Sequence, residues 1–158
     1  MAQILTSQQI LNESTAFTNI DLLYFESNIN HWQETVLKSL LTDTLYAEFI
    51  TETTAGTYSA ANQILFDNYI KYAMPYGVAY LAMKKDITTQ LTNQGVMGNR
   101  TDYANSERNS TVLKEFKERE FEYLKALGVY LLDNKATYPL FIYKKTYLGV
   151  DFRDTIIL

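Results

Sequence analysis

The 158-residue sequence contains no cysteine, two prolines, a single histidine and a single tryptophan. The absence of cysteine excludes disulfide bonds, thiolate nucleophiles and cysteine-ligated metal centres. No apolar run approaches the length of a membrane span. The first residues, MAQILTSQQILNES, have neither the charged start nor the continuous apolar core of a signal peptide. We therefore expect a protein that is made in the cytosol.

Positive charge is scarce as well. The formal net charge is −4, and the longest basic runs are the pairs Lys84-Lys85 and Lys144-Lys145. Direct nucleic-acid binding usually needs a concentrated cationic patch, so this sequence disfavours it. Hydrophobic residues make up 47% and charged residues 20% of the chain, as is typical of a single folded domain.

The residues that carry enzyme chemistry do not cluster. His31 with Glu34 is a single pair and lacks the further ligands that a metal site needs. Three carboxylates, Glu118, Glu120 and Glu122, alternate around a charged helix and are predicted to form a solvated face. The glycines at 95 and 98 lack the lysine and the spacing of a phosphate-binding loop. The sequence therefore predicts a protein that is not an enzyme and has no metal or other cofactor.

Tyrosine is the abundant residue, with thirteen copies. Its ring is apolar and its tip is polar, so tyrosine suits surfaces that are wet in one state and buried in another. Tyrosines also rim helical cores. Composition alone leaves both interpretations open.

Apolar periodicity predicts a short helix and a first long helix. The short one begins at Thr6 or Ser7 and ends near Asn12. The long one begins at Asn19 or Asp21, and the hydroxyl-rich segment 51–60 is predicted to be a loop. Its apolar stripe repeats every three or four residues: Leu22, Phe25, Ile29, Trp32, Val36 and Leu40.

Two further long helices are predicted. The second spans about 59–86 and includes Pro75, which should either kink or break it near 71–74. The third begins at Ser110 or Thr111 and ends near Leu132. The residues that recur along it at helical spacing are Leu113, Phe116, Glu120, Tyr123, Leu124, Leu127 and Leu131.

The segment between these two helices has another pattern. Ile87, Thr89 and Leu91 alternate with polar residues, which favours a short extended piece that turns at 93–95. After residue 134 the chain is aromatic, β-prone and broken by Pro139. It could pair with the extended segment of its own chain or dock on a partner.

The predicted fold is thus mainly α, an antiparallel helical bundle of three long helices with a short N-terminal helix and a small β-hairpin-like element. Residues 1–136 would form the bundle, with a protruding loop at about 87–109. Residues 137–158 would form an extended C-terminal arm.

The order of these segments, together with the phrases LTNQGVM and NKATYPLF, resembles the head–tail connector (adaptor or neck) proteins of tailed bacteriophages. The resemblance covers about residues 5–143. It implies an oligomeric ring of roughly twelve copies beneath the portal protein, in the neck of the virion between capsid and tail. The portal, other neck or tail proteins and copies of the chain itself would be its partners. Genomic DNA would pass through the channel as non-specific cargo.

The resemblance also indicates which segments make contacts. The loop would supply the subunit interface, through Leu91, Thr92, Asn93, Gln94, Gly95, Val96 and Met97. The C-terminal arm would dock on a partner, through Tyr138, Pro139, Phe141, Tyr143, Tyr147 and Phe152. An alternative hypothesis is a monomeric helical binding module of the cytosol that forms no ring. Stoichiometry, and presence or absence in virus particles, distinguishes the two.

Overall fold

The computed structural model of the protein describes residues 2–13, 22–94 and 100–142. Within these ranges the chain forms six α-helices and two π-helical segments and has no strand. The predicted mainly α class is confirmed. In chain order the helices are α1 (Ser7–Glu13), α2 (Leu22–Trp32), α3 (Lys38–Ala55), α4 (Ala60–Leu65), α5 (Lys71–Gln94) and α6 (Arg100–Asp133).

The start of α1 agrees with the sequence prediction. The Thr6 backbone N–H donates to Oε1 of Gln9 at 2.9 Å, and the Gln9 backbone N–H donates to the Thr6 hydroxyl at 3.3 Å. This reciprocal pair is a capping box, which satisfies backbone donors that a helix start leaves without partners. One turn later, Ile10 is fully buried.

In the first long helix the π-helical segment Gln33–Leu37 joins α2 to α3, and the helix is kinked at Thr42. It extends to Ala55, although a loop was predicted from residue 51. The hydroxyl of Thr51 donates to the Ala47 carbonyl one turn back. The hydroxyls of Thr53 and Thr54 likewise donate to the carbonyls four residues before them. These bonds accommodate polar side chains within a helix. The helix ends at Gly56, whose left-handed φ of 71° favours glycine.

Thr42 interrupts the regular geometry of α3. Its φ of 71° and ψ of 159° lie in a region that residues with a side chain rarely adopt, at a cost of about 1–3 kcal/mol. The Thr42 hydroxyl donates to the Leu140 carbonyl at 3.3 Å. The irregular residue therefore lies where the C-terminal segment crosses the first long helix.

The second helical run begins where it was predicted to begin. Ser59 caps α4, because its hydroxyl accepts the Asn62 backbone N–H at 3.3 Å. The π-helical segment Phe66–Ile70 then leads into α5, which continues through Pro75. Of the two outcomes left open for this proline, a break in the helix does not occur.

The extended segment predicted from Ile87 to Leu91 is wrong, because α5 remains helical to Gln94. The third long helix likewise begins at Arg100 instead of residue 110. A short alternation of apolar and polar residues is weak evidence for a strand when a helix that is already formed precedes it, since extending a helix costs far less than starting one. Residues 95–99 lie outside the described residues, and the β-hairpin-like element is not confirmed.

Helix α5 holds the fold together, since it contacts α1, α2 and α6. The core that these helices share contains Trp32 from α2, Phe49 from α3, Met74 from α5 and Leu124 from α6. After α6 the chain turns at 134–137, and Tyr138 enters the same core.

Candidate interaction surface

A buried polar contact fixes α6 against α2. The indole N–H of Trp32 donates to Oε1 of Glu120 at 2.6 Å, and the Lys117 ammonium lies 2.7 Å from Oε2 of the same carboxylate. Glu120 is only 1% exposed and Trp32 is fully buried. A buried carboxylate is stable only when its oxygens have partners. Here Trp32 is the partner of one carboxylate oxygen of Glu120, and Lys117 is the partner of the other.

Gly77 on α5 makes room for this contact. A Cβ atom at position 77 would overlap both the indole nitrogen of Trp32 and Oε1 of Glu120. Three helices therefore meet around one carboxylate. The prediction that Glu120 belongs to a solvated face is wrong. Its place on the apolar stripe of α6, four residues after Phe116 and four before Leu124, was the sequence signal for burial.

The outer side of the α5–α6 pair carries the tyrosine face, which we define as Tyr72, Tyr76 and Tyr80 of α5 with Phe116 and Tyr123 of α6. The rings of Tyr72 and Tyr123 stack at 5.5 Å, and those of Tyr123 and Tyr76 stack at 6.4 Å with planes only 7° apart. Tyr76 in turn lies 6.1 Å from Phe116. Tyr72 is 39% exposed, so the stack is accessible at the surface.

Cations lie over these rings. The Arg119 guanidinium is 5.6 Å from the centroid of Tyr76, within the range of a cation–π interaction. Lysines lie over the other two α5 rings, with Lys71 5.1 Å from Tyr72, and Lys117 at 5.2 Å and Lys84 at 6.0 Å from Tyr80.

Arg119, Lys71 and Lys117 are also paired with carboxylates. Arg119 lies 3.1 Å from Glu115, and Lys71 lies 3.3 Å from Asp67. The hydrogen bond to Glu115 raises the pKa of Arg119, and the bond to Asp67 raises the pKa of Lys71. The pKa of Asp67 is lowered, chiefly by the hydrogen bond from Gln63 and then by Lys71. The face thus combines aromatic rings with balanced charge, a composition that suits protein contact better than phosphate binding.

The structure places the predicted docking residues in different environments. Tyr138 is 2% exposed, and its hydroxyl donates to the Ala61 carbonyl at 2.8 Å. Burial, and then its bond with Tyr130, raises the pKa of Tyr138. Phe141 is half-buried against the same core, whereas Pro139 is exposed. Tyr138 and Phe141 therefore stabilise their own chain.

Other predicted contact residues lie beyond what the structure describes. Tyr143, Tyr147 and Phe152 of the docking set fall in residues 143–158, outside the described residues. In the predicted subunit interface, residues 91–94 form the last turn of α5, and residues 95–97 are again outside the described ranges. Both interface assignments stay predictions.

The one histidine, His31, belongs to no cluster of metal-binding side chains within the described ranges. His31 is exposed, and Glu34 instead accepts hydrogen bonds from Tyr46 at 2.9 Å and from Lys38 at 3.3 Å. Burial and the bond to Glu34 raise the pKa of Tyr46. Among the described residues, no group of three or more histidine, aspartate or glutamate side chains could hold a metal ion.

No helix in the described part of the chain is long and apolar enough to cross a membrane. Fold and surface together define a mainly helical protein with an aromatic, charge-balanced face. Residues 33–149 match a family of unknown function, DUF6712, and the chain belongs to that family. Comparisons with curated proteins and with solved structures gave no match.

The number of tyrosines in the sequence does not by itself indicate that some of them share one face. Tyr72, Tyr76 and Tyr80 are four residues apart, which places them on one side of a helix. That spacing was the signal for the tyrosine face. What the sequence did not provide is their pairing with Tyr123, because that contact depends on how α5 packs on α6.

Proposed function

We propose that the protein is a head–tail connector of a tailed bacteriophage, a structural virion protein that forms a ring beneath the portal and joins it to the tail. The proposal rests on the resemblance of the sequence to such proteins and on the tyrosine face. The helices would form an antiparallel bundle within each subunit, and DNA would pass through the channel of the ring.

The tyrosine face is the observation that carries this proposal. Tyrosine and arginine are enriched among the residues that dominate binding energy at protein interfaces. Tyr72, Tyr76, Tyr123 and Arg119 lie together on the two longest helices. Because the stacked rings are already ordered, a second subunit could bind them with little loss of side-chain entropy.

The charges on the tyrosine face support a second copy of this chain as the neighbour. Each helix carries both signs, with Asp67 and Lys71 in the α4–α5 run and Glu115 and Arg119 on α6. In a ring this face would meet a different surface of the next copy, and its two signs could form opposite-charge contacts there. The segments 91–97 and 139–152 would supply the remaining contacts to neighbours and to the portal.

Electron microscopy and particle-mass measurement of the chain recovered from its native lysate test this function. We expect a ring with a mass of roughly twelve times the 18.2 kDa of one chain, free or bound to a larger ring-shaped partner. A lone chain of 18.2 kDa without a ring-forming partner would contradict the proposal and favour the monomeric binding module.

A matched pair of variants tests the tyrosine face itself. Tyr72 on this face and Ile64 on α4 are both 39% exposed. Replacing Tyr72 with serine should prevent ring assembly and leave the subunit folded, whereas Ile64→Ser should assemble normally. Equal assembly of both variants would remove the tyrosine face as a subunit contact.

A further inference from the structure

A groove lies between α3, the start of α4 and the segment that follows α6. We call it the α3–α4 groove and define it by Leu45, Glu48, Asn62, Tyr138, Pro139 and Leu140. It encloses a cavity of about 230 Å³. Pockets for small molecules are usually about 300–1,000 Å³, so this one is better matched to a single side chain.

The walls of the groove combine apolar and polar residues, and several of them are held in place by the fold. Leu45 and Tyr138 belong to the buried core. Tyr138 is fixed by its hydrogen bond to the Ala61 carbonyl, and Leu140 by the bond that its carbonyl accepts from Thr42. A groove that is already formed binds a side chain without first having to be ordered.

Negative charge is concentrated at one side of this groove. Glu48 and Glu52 are one turn apart on α3, and the amide of Asn62 donates to both, at 3.5 and 2.8 Å. Asn62 is itself 2% exposed. Ser59 donates to Glu52 through its backbone N–H at 3.2 Å and its hydroxyl at 3.4 Å.

Neither carboxylate has a cation in the part of the chain that the structure describes. Among the described residues, no lysine or arginine nitrogen lies within 4.0 Å of Glu48 or Glu52. Acidic residues elsewhere in the chain do have a cationic partner, as the pairs of Asp67 with Lys71 and of Glu118 with Lys114 show. Two like charges one helical turn apart repel each other, and a bound cation would relieve that repulsion.

We propose that the α3–α4 groove binds an arginine side chain of a partner protein, with its guanidinium on the Glu48 carboxylate. The planar guanidinium offers several donors to carboxylate oxygens, and its methylene stem suits the exposed Pro139 and Leu140. The inference deepens the proposed function by giving the chemistry of a partner contact, and it rests on that function only in requiring a partner protein.

Titration of the full chain with N-acetyl-arginine methylamide, followed by nuclear magnetic resonance, tests the groove directly. We expect shifts confined to backbone amides of the groove residues, with a Kd on the order of 10 mM. The norleucine analogue, which keeps the apolar stem without the charge, should bind at least about fivefold more weakly. The lysine analogue should also bind less well than arginine.

Glu48→Gln is the decisive variant, and Glu118→Gln, which removes an exposed glutamate of α6, is its control. Glu48→Gln should weaken binding of the arginine probe about fivefold, whereas Glu118→Gln should leave it unchanged. Absence of shifts, equal binding of arginine and norleucine, or equal binding by both variants would overturn the proposal. Tighter binding of lysine would assign the groove to an ammonium group instead.

The titration uses a small probe and does not depend on ring formation. Particle-mass measurement of the same preparations reports assembly separately. A chain that forms rings but does not bind the probe would refute the groove proposal alone. A chain that binds the probe with the expected selectivity but never joins a ring would refute the connector function alone.

Discussion

Two carboxylate sites of this protein have opposite surroundings. Glu120 is 1% exposed, and each of its oxygens is bonded to a donor of the same chain, Trp32 Nε1 and Lys117 Nζ. Glu48 is exposed and accepts one long hydrogen bond, from Asn62 at 3.5 Å. The Glu120 carboxylate joins α2 to α6 of the same chain. The Glu48 carboxylate has no cation among the described residues and so retains capacity for a partner.

The difference shows how a carboxylate can be assigned to folding or to binding. A buried charge without partners costs several kcal/mol, so a chain that buries one must supply the partners itself. An exposed charge has no such requirement, because water solvates it. Substitutions at the Glu120 site should therefore change mainly stability, and substitutions at the Glu48 site mainly binding.

The largest effect is expected from Gly77→Ala, which breaks the buried site by steric overlap. The added methyl group would push the Trp32 indole and the Glu120 carboxylate apart. Overpacking and the loss of a buried hydrogen bond together should lower the free energy of unfolding by about 3 kcal/mol, despite the better helix propensity of alanine. Urea denaturation of the variant measures this loss.

A double variant identifies the cause of that loss. In a Trp32→Phe background the indole N–H is absent, so Gly77→Ala should cost clearly less than it does in the parent chain. Equal costs in the two backgrounds would show that the overlap with Trp32 is not what destabilises the Gly77→Ala protein.

The next largest effect is expected at Glu120 itself. Glu120→Ala leaves the buried Trp32 N–H without an acceptor and should lower the free energy of unfolding by about 2–3 kcal/mol. Glu120→Gln keeps an acceptor oxygen for the indole and replaces the ion pair with Lys117, whose 42% exposed side chain can turn to solvent, by an NH2 group. It should cost about 1 kcal/mol or less, since solvent screens that pair.

Chemical denaturation of both variants decides between a hydrogen-bonding and an ion-pair role. Equal losses would mean that the charge of Glu120, and not its oxygen acceptor, matters most. A loss below about 0.5 kcal/mol for Glu120→Ala, the usual size for a surface change, would contradict the buried contact altogether.

These sites also show how much could be predicted from the sequence. The helical class, the start of the second helix near residue 59 and the burial of Ile29, Trp32 and Leu40 follow from local patterns, and the structure agrees with them. The bond between Trp32 and Glu120 joins residues 88 positions apart, so no local pattern specifies it. Helix ends were predicted less well, because side-chain bonds such as that of Thr51 and the extension of α5 outweigh weak local preferences.

The α3–α4 groove could not have been predicted for the same reason. It combines α3, the cap region of α4 and the segment at Tyr138, which come together only when the chain has folded. The sequence did indicate the importance of residues 138–141, although it assigned Tyr138 to a partner. The hydroxyl of Tyr138 binds the Ala61 carbonyl of its own chain instead.

A smaller effect is expected from Tyr138→Phe, which alters the groove wall without changing its charge. Loss of the bond to the Ala61 carbonyl should lower the free energy of unfolding by about 1 kcal/mol at neutral pH. Tyr72→Phe, which changes an exposed tyrosine, should cost less. Urea denaturation of the two variants makes the comparison.

The pH dependence of Tyr138→Phe gives an independent check. The pKa of Tyr138 is raised in the folded chain from its ordinary value of 10.0, mainly by burial. The unfolded chain therefore releases this proton at lower pH than the folded chain, and stability should fall as pH rises above about 10. Tyr138→Phe should reduce that fall. An unchanged slope between pH 9 and about 11 would contradict a role of this hydroxyl in alkaline unfolding.

The smallest effect on stability, and the sharpest contrast with Glu120, is expected from Glu48→Gln. This change removes the repulsion between Glu48 and Glu52 and should raise the free energy of unfolding by about 0.3 kcal/mol. Glu118→Gln breaks the pair with Lys114, 3.7 Å away, and should lower it by a similar amount. Both differences should disappear in about 1 M salt, which screens exposed charges. If Glu48→Gln instead destabilised the chain by more than about 1 kcal/mol, Glu48 would serve folding as Glu120 does, and its carboxylate would not be free for an arginine.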